Sequence, residues 1–355
     1  MKKNIRKILI MRLSSMGDVV LASPLIRCVR NQIPNATIDF VVDKKYSDVI
    51  KYNPHINNLI EYDRDNPDFN AKIKENLDRN YEIIDLQNNR RSKLFRKKIG
   101  KIIGAFNKYR LKKIALVWVK KNYFGNTNIP ERYIATAQKI NIKDDKKGLE
   151  VWLPEENNLE IYPPENKIYS NAITKITLVP SATHFTKRWL PEYFVKLIDM
   201  LNIDNCEFNL IGDAKDKQIC NYIISHSNNK INIIDHSSKT TILDAVRIID
   251  KSDLVISNDT GMMHIASARR VRVIAIYGST VPAFGFIPFR TPHRICEIEL
   301  SCRPCTHIGK QKCHKKHFNC MRLITPEMVC KKALSVCGNL ILKVLFVALV
   351  TGFNL

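Results

Sequence analysis

Leu254 to Ser257 is a short apolar run, and Asn258-Asp259-Thr260-Gly261 turns it directly into the helix-spaced stretch Met262-Met263-His264-Ile265-Ala266. A run of this kind, bounded by turn residues, predicts a buried strand. Parallel strands need long crossovers, usually helical, so a buried strand that opens straight into a helix points to an α/β sheet. The junction also has a chemical property. The first N–H groups of a helix lack intrahelical partners and carry the positive end of its dipole, which makes the turn an anion site. Asp259 is out of place there if the ligand is phosphate alone. It fits if it holds sugar hydroxyls while Thr260, Gly261 and the helix start hold phosphates, and it fits equally as a plain N-cap.

The same grammar runs through the chain. Lys7 to Met11 reads as a first buried strand, followed by the loop Arg12-Leu13-Ser14-Ser15-Met16-Gly17-Asp18 and a helical stretch from Val19 to Val29. The loop matches neither the P-loop nor the Rossmann glycine fingerprint. Asp18 is either a helix cap or a carboxylate at the carboxyl end of a parallel strand, where open α/β sheets bind ligands. Further strands are expected at Thr37 to Val42, Asn58 to Tyr62, Tyr81 to Leu86 and Ile114 to Val119, with helices between them. After a polar, Pro-bearing stretch from Leu153 to Glu165 a second series begins, with strands at Ile176 to Val179, Phe208 to Ile211, Ile231 to Ile234, Leu254 to Ser257 and Val271 to Tyr277. Two doubly wound domains follow, residues 1–160 and 161–335, with an apolar tail at 336–355. They are expected to face a cleft with one ligand on each side. On the second domain, Lys187 offers a mobile cation and Asp216 a carboxylate suited to ribose hydroxyls.

The 355 residues suffice for two ordinary domains, and a 45% hydrophobic content is that of a globular chain. The formal net charge of +23 suggests an anionic partner: nucleic acid, an acidic membrane surface or a phosphorylated substrate. Asp63-Arg64-Asp65 has the D-x-D form with which many sugar transferases hold a metal, but its neighbours Asn66-Pro67-Asp68 make it a solvated turn. No secretory signal is evident, so a cytoplasmic, reducing compartment is expected and the ten cysteines are read as thiols or metal ligands.

Three motifs together resemble glycosyltransferase family 9, the ADP-heptose:lipopolysaccharide heptosyltransferases. They are Leu13-Ser14-Ser15-Met16-Gly17-Asp18-Val19, Lys187-Arg188-Trp189 before a Pro-Glu helix start, and Asn258-Asp259-Thr260-Gly261-Met262-Met263-His264-Ile265-Ala266. The resemblance implies a GT-B fold of two Rossmann-like domains, with the acceptor on the first and the nucleotide sugar on the second. It implies an inverting transfer with no bound metal and no cofactor. In that scheme Asp18 is the general base, Ser14, Ser15 and Gly17 form the acceptor-side loop, and Lys187 neutralises the leaving diphosphate. Asp259 binds sugar hydroxyls, with Thr260, Gly261 and His264 near the phosphates. The implied partners are ADP-heptose, a lipid-linked anionic saccharide acceptor from the lipopolysaccharide inner core, and the inner-membrane surface touched peripherally from the cytoplasm. No nucleic acid is expected.

Arg12 and the basic segment Arg90 to Lys101 either face that anionic acceptor or form a solvated surface. Cys302, Cys305, Cys313 and Cys320, interleaved with His307, His314 and His317, are either a structural zinc site or free thiols that tie down a loop. The apolar stretch Leu340 to Leu355 is shorter than the roughly 20 residues of a membrane-spanning helix. Two other functions stay open: a GT-B relative that epimerises or hydrolyses a nucleotide sugar, and a basic nucleic-acid-binding protein, for which no binding motif is present.

Overall fold

The computed structural model describes residues 5–77, 79–156, 175–201, 206–228 and 230–336; the apolar tail lies outside these. The chain divides into two compact units. The first comprises Met1–Lys112 and Phe124–Glu165, the second Lys113–Tyr123 and Asn166–Leu355. Each is an α/β unit with one parallel sheet flanked by helices, the two-lobed GT-B architecture.

The first sheet contains β1 (Lys7–Met11), β2 (Thr37–Asp43), β3 (Asn58–Tyr62), β4 (Tyr81–Asp85) and β5 (Gly100–Ala105), in the order β3-β2-β1-β4-β5. The second contains β6 (Lys175–Val179), β7 (Glu207–Leu210), β8 (Ile233–Asp235), β9 (Leu254–Asn258), β10 (Arg272–Ile276) and β11 (His293–Cys296), in the order β11-β10-β9-β6-β7-β8. All pairings are parallel, with Leu9 beside Asp39 and Ile83, and Ile256 beside Leu178 and Ile274. The central strands β1, β9 and β10 are buried almost throughout, as their uninterrupted apolar runs require.

In both sheets the chain first builds outward on one side and then returns to build on the other. The switch falls between β1 and β4 in the first unit and between β6 and β9 in the second. At such a point neighbouring strands send their connections to opposite faces, and their carboxyl ends are left open between them.

Two expected details differ. Ile114 to Val119 is not a strand. The helix Arg110–Ile114 continues into a wider turn, Ala115–Val119, that ends at Lys120 with φ 63°. Its β-branched and aromatic residues suggested a strand, yet Leu116 is the buried member of the run, so no side-chain set faces a sheet. The fifth strand is instead Gly100–Ala105, at the edge of the sheet and partly inside the basic segment. There Ile103 is buried and Ile102 is exposed. Glycine at 104 is needed because a Cβ there would lie 2.0 Å from the carbonyl oxygen of Thr136. The Asp63–Asp65 turn is a local structure, the Asp65 N–H donating to Asp63 Oδ1 at 3.0 Å ahead of the helix that Asn66 caps.

The second core gathers Leu178, Trp189, Phe194, Leu197, Phe208, Leu254, Ile256 and Ile274. One polar residue fastens its switch point. Asn258, fully buried at the end of β9, donates to the Pro180 carbonyl at 3.0 Å and accepts from the Trp189 N–H at 3.0 Å. Trp189 in turn donates its indole N–H to the Ile324 carbonyl at 2.8 Å. Asn258→Ala leaves a buried donor and a buried acceptor unpaired, and is expected to cost about 2–4 kcal/mol of stability. The check is the urea midpoint, which falls at an unchanged slope if the fold itself is kept.

Candidate active site

The first switch point carries a carboxylate in a cage of donors. Asp18 sits on the short helix Met16–Val20 that follows β1. Arg12, leaving β1 on the same loop, places its guanidinium 2.7 Å from Asp18 Oδ1. The Ser15 N–H and hydroxyl donate to Asp18 Oδ2 at 3.1 and 2.9 Å, and the Tyr133 hydroxyl donates to Oδ1 at 3.3 Å. Arg12 also donates to the Leu86 carbonyl at 2.7 Å, and the Ser14 N–H to Gln87 Oε1 at 3.2 Å. The loop after β1 is thereby stitched to the end of β4, across the switch.

Burial by itself would raise the Asp18 carboxyl, but the charge of Arg12 and the Ser15 bonds outweigh it and hold the group below its ordinary value. Asp18 is therefore an anion at neutral pH. Tyr133 is pushed the other way, mainly by burial, and stays a neutral donor. Asp18 is not the cap of its helix: Ser15 is, and Asp18 closes the first turn with it, beyond the carboxyl end of β1. Ser14 and Gly17 belong to the same loop, half-buried and buried respectively.

The second switch point holds the complementary set. Lys187 lies in the short turn Phe185–Lys187 after β6, and its ammonium is 2.7 Å from Asp259 Oδ2, beyond the end of β9. The Thr280 hydroxyl, after β10, donates to the same oxygen at 2.8 Å. Asp259 is thus no N-cap. Thr260 takes that position, without a side-chain bond to the helix, and leaves the first N–H groups of Gly261–Ala268 to a ligand. The pairing with Lys187 also meets the objection to a carboxylate beside an anion site, since a cation lies against it. His264 is buried on that helix, its ring 6.4 Å from that of Phe286. Asp216 is placed differently. It accepts the Asp213 N–H at 3.0 Å and closes the turn ahead of the helix Lys217–His226, after β7 rather than at the switch.

Tyr133, Asn258, Thr280 and Arg303 are site residues that sequence reasoning did not single out. Arg303 donates to the carbonyls of Gly278 and Thr280 at 2.5 and 2.9 Å and holds the loop that carries Thr280. Asn258 lay within a recognised motif but had no assigned task. Arg303 stood in the stretch Cys302-Arg303-Pro304-Cys305, which also resembles a subset of the family, without an assigned task, and Tyr133 had no local signal, being brought in from far along the chain. Of the carboxyl-end cysteines, Cys302, Cys305 and Cys313 are half-buried and Cys320 is buried; all four are free thiols. Among the described residues no three of them bring their sulfurs within the 4.8 Å spacing of a candidate metal group. Burial pushes the Cys320 thiol up to about 12, against the opposing charge of Arg303 and with a smaller push from the neighbouring thiols.

A profile of glycosyltransferase family 9 (heptosyltransferase) matches residues 70–316, well over half of the chain. The lipooligosaccharide heptosyltransferase 2 of Campylobacter jejuni is 31% identical over 159 residues, 43% of this chain and 47% of that protein. The chain thus spans about half the length of this curated relative. The structure of a family 9 glycosyl transferase from Veillonella parvula superposes with a TM-score of 0.73 at 20% identity, covering 95% of this chain and 98% of that one. The iron-containing dodecameric glycosyltransferase TibC from enterotoxigenic E. coli superposes at 0.57 and 13% identity, over 94% of this chain and 79% of that one.

These comparisons correct one expectation, that no metal or cofactor is involved. A similar protein contains iron, and in this chain Cys28, Asp144 and Asp145 bring ligand atoms within 4.8 Å of one another. As they stand these residues do not fit an ion well. Arg27 holds Asp145 through bonds of 2.7 and 3.0 Å, and burial raises the Cys28 thiol to about 11. Metal content is a quantity to measure on the purified chain, and no chemical step is derived through it. With a parallel sheet in each unit, a polar cluster at each switch point and a profile match across most of its length, the chain belongs to glycosyltransferase family 9, the heptosyltransferase family.

Proposed function

We propose that the protein transfers heptose from ADP-heptose to a hydroxyl of a lipopolysaccharide inner-core acceptor, with inversion at the anomeric carbon. The observation that carries this reading is the pair of switch-point clusters. One presents a carboxylate caged by a guanidinium, a serine and a tyrosine. The other presents a lysine, a carboxylate and an open helix start. The first suits removal of a proton, and the second suits a sugar diphosphate. The name of the Campylobacter relative and a TibC structure in complex with ADP-D-β-D-heptose supply the sugar and nucleotide of the reading.

In this mechanism the acceptor hydroxyl attacks the anomeric carbon from the face opposite the diphosphate. Its proton passes to Asp18, which Arg12 keeps ionised, at the position that the Tyr133 hydroxyl, the longest of the four bonds at 3.3 Å, gives up. The anomeric C–O bond breaks and its electron pair leaves with ADP. Lys187 turns from Asp259 to the diphosphate and, with the N–H groups at the start of Gly261–Ala268, stabilises the departing charge. Asp259, relieved of Lys187, accepts hydrogen bonds from the sugar hydroxyls. His264 lines the phosphate side, and Asp216 is assigned to the ribose. The acceptor is lipid-linked, so the enzyme works peripherally at the cytoplasmic face of the inner membrane. Among the described residues no helix is long and apolar enough to cross it.

Asp18→Asn is expected to lower turnover by about 10²–10⁴-fold, the usual weight of a general base. Lys187→Ala is expected to lower kcat by roughly 10²–10³-fold, as for loss of one charge-stabilising donor. Transfer is followed by product analysis, and donor binding by the rise in Tm with ADP-heptose, which Asp18→Asn leaves intact. Turnover retained in Asp18→Asn removes Asp18 as base. Release of free heptose without an acceptor identifies a hydrolase instead.

The pH profile gives an independent check. The Asp18 carboxyl titrates below its ordinary value, so kcat/KM stays flat on the acid side through the ordinary carboxylate range and falls only when the pH passes that depressed pKa. Arg12→Gln removes the ion pair, leaves burial as the leading influence, and is expected to move the acid limb toward neutrality. An acid limb that Arg12→Gln leaves in place argues that the titrating group is another residue.

A further inference from the structure

The segment that was expected to be a strand carries the clearest unpartnered surface among the described residues. Along the helix Arg110–Ile114 and the turn Ala115–Val119, Leu111 is 82% exposed, Ile114 53%, Trp118 80% and Val119 60%, and Tyr123 beyond them is 55% exposed. Leu111, Ile114 and Trp118 follow one another at spacings of three and four residues and share a face. The segment is held down at two points. Leu116 is buried, and the Lys120 ammonium donates to the carbonyls of Pro304 and Cys302 at 2.8 and 3.4 Å. This fixes the apolar face beside the loop that runs from Cys302 to His317.

The charge around that face has one sign. Arg110, Lys112, Lys113, Lys120 and Lys121 flank the apolar residues, and no Asp or Glu occurs from Leu86 to Pro130. The neighbouring loop adds the exposed Lys310, Lys312, Lys315 and Lys316 and the exposed Ile308, and no acidic residue occurs from Leu300 to Pro326. A second copy of the chain pressed onto this face would meet its own positive charge. A surface that is anionic and has an apolar layer beneath its charges satisfies both features at once. Apolar side chains enter the headgroup–acyl boundary, tryptophan settles at that level, and lysines keep their ammonium groups among the phosphates.

We propose that Leu111, Ile114, Trp118 and Val119, with the surrounding lysines and the basic loop, dock the protein onto an anionic lipid bilayer. The proposal rests on the peripheral-membrane reading above and gives it a surface. In use, Trp118 and its apolar neighbours lie in the interface while the basic residues neutralise lipid phosphates, so the enzyme samples acceptors in the plane of the membrane.

The test uses the full-length chain with vesicles of phosphatidylcholine alone or mixed three to one with phosphatidylglycerol. The protein is expected to float with the mixed vesicles and to remain behind with the neutral ones. Trp118 is a built-in reporter, because Trp152 and Trp189 are 2% and 1% exposed. Its emission is expected to shift to the blue on vesicle binding, and the shift is expected to vanish in Trp118→Phe. The triple variant Leu111→Ser, Ile114→Ser, Trp118→Ser changes only exposed positions, and it is expected to bind at least tenfold less to mixed vesicles with turnover of a lipid-free acceptor unchanged. A wild-type chain that ignores anionic vesicles sinks the peripheral-membrane reading together with this surface. A wild type that floats, a triple variant that floats equally well and a Trp118 spectrum that stays still overturn the surface alone. Self-association that Trp118 substitution abolishes, without vesicle binding, assigns the face to a second copy and overturns it as well.

Discussion

Parallel strands cannot be joined by tight turns, and each pair needs a crossover that passes over one face of the sheet. Wherever successive crossovers change face, two strand ends stand side by side with nothing covering them. This chain contains that situation twice, between β1 and β4 and between β6 and β9. The polar chemistry of both units gathers there. Arg12, Ser15 and Asp18 leave β1 and are braced by Leu86 and Gln87 after β4. Lys187 follows β6 and meets Asp259 after β9. Connectivity places the groups, and local pairing then holds them in position.

The two clusters pair their carboxylates with different cations. At Asp18 the carboxylate is compensated by a guanidinium that also bonds the Leu86 carbonyl and lies with its Cζ 5.6 Å from the centre of the Tyr133 ring. Such a cation is anchored on two sides, and its charge helps hold the Asp18 carboxyl below its ordinary value. At Asp259 the partner is an ammonium on a flexible stem, a point charge able to change partners. In the proposed transfer the arginine-paired carboxylate serves proton abstraction in one unit and the lysine serves leaving-group stabilisation in the other.

The stretch from Arg110 to Tyr123 shows where pattern reading fails and what the failure reveals. Its β-branched and aromatic residues satisfy a strand template, and a template cannot see whether a sheet edge is on offer. With Leu116 as the buried member, the same residues in helical form turn their apolar side chains outward. A similar blindness hid Gly100–Ala105. Lysine and two glycines disguise it, and it is a strand because β4 offers it an edge and Thr136 leaves no room for a side chain at 104.

The sequence by itself determined the class of the fold and the motifs. Buried runs opening into helices require a parallel α/β sheet, and Asp18, Lys187 and Asp259 are visible at strand ends because backbone geometry there is local. It left Asp18 and Asp259 each divided between cap and ligand, and it gave no task to Tyr133, Asn258, Thr280 or Arg303. Tertiary structure decided those matters, because each depends on what arrives from a distant part of the chain. Thr280 and Lys187 converge on one oxygen of Asp259, which shows that it is not a cap. Arg12 and Tyr133 converge on Asp18, which makes a turn-closing residue an anion as well. Hydrogen bonds and ion pairs between residues far apart in sequence leave no periodicity behind, and they appear only when the sheet has assembled.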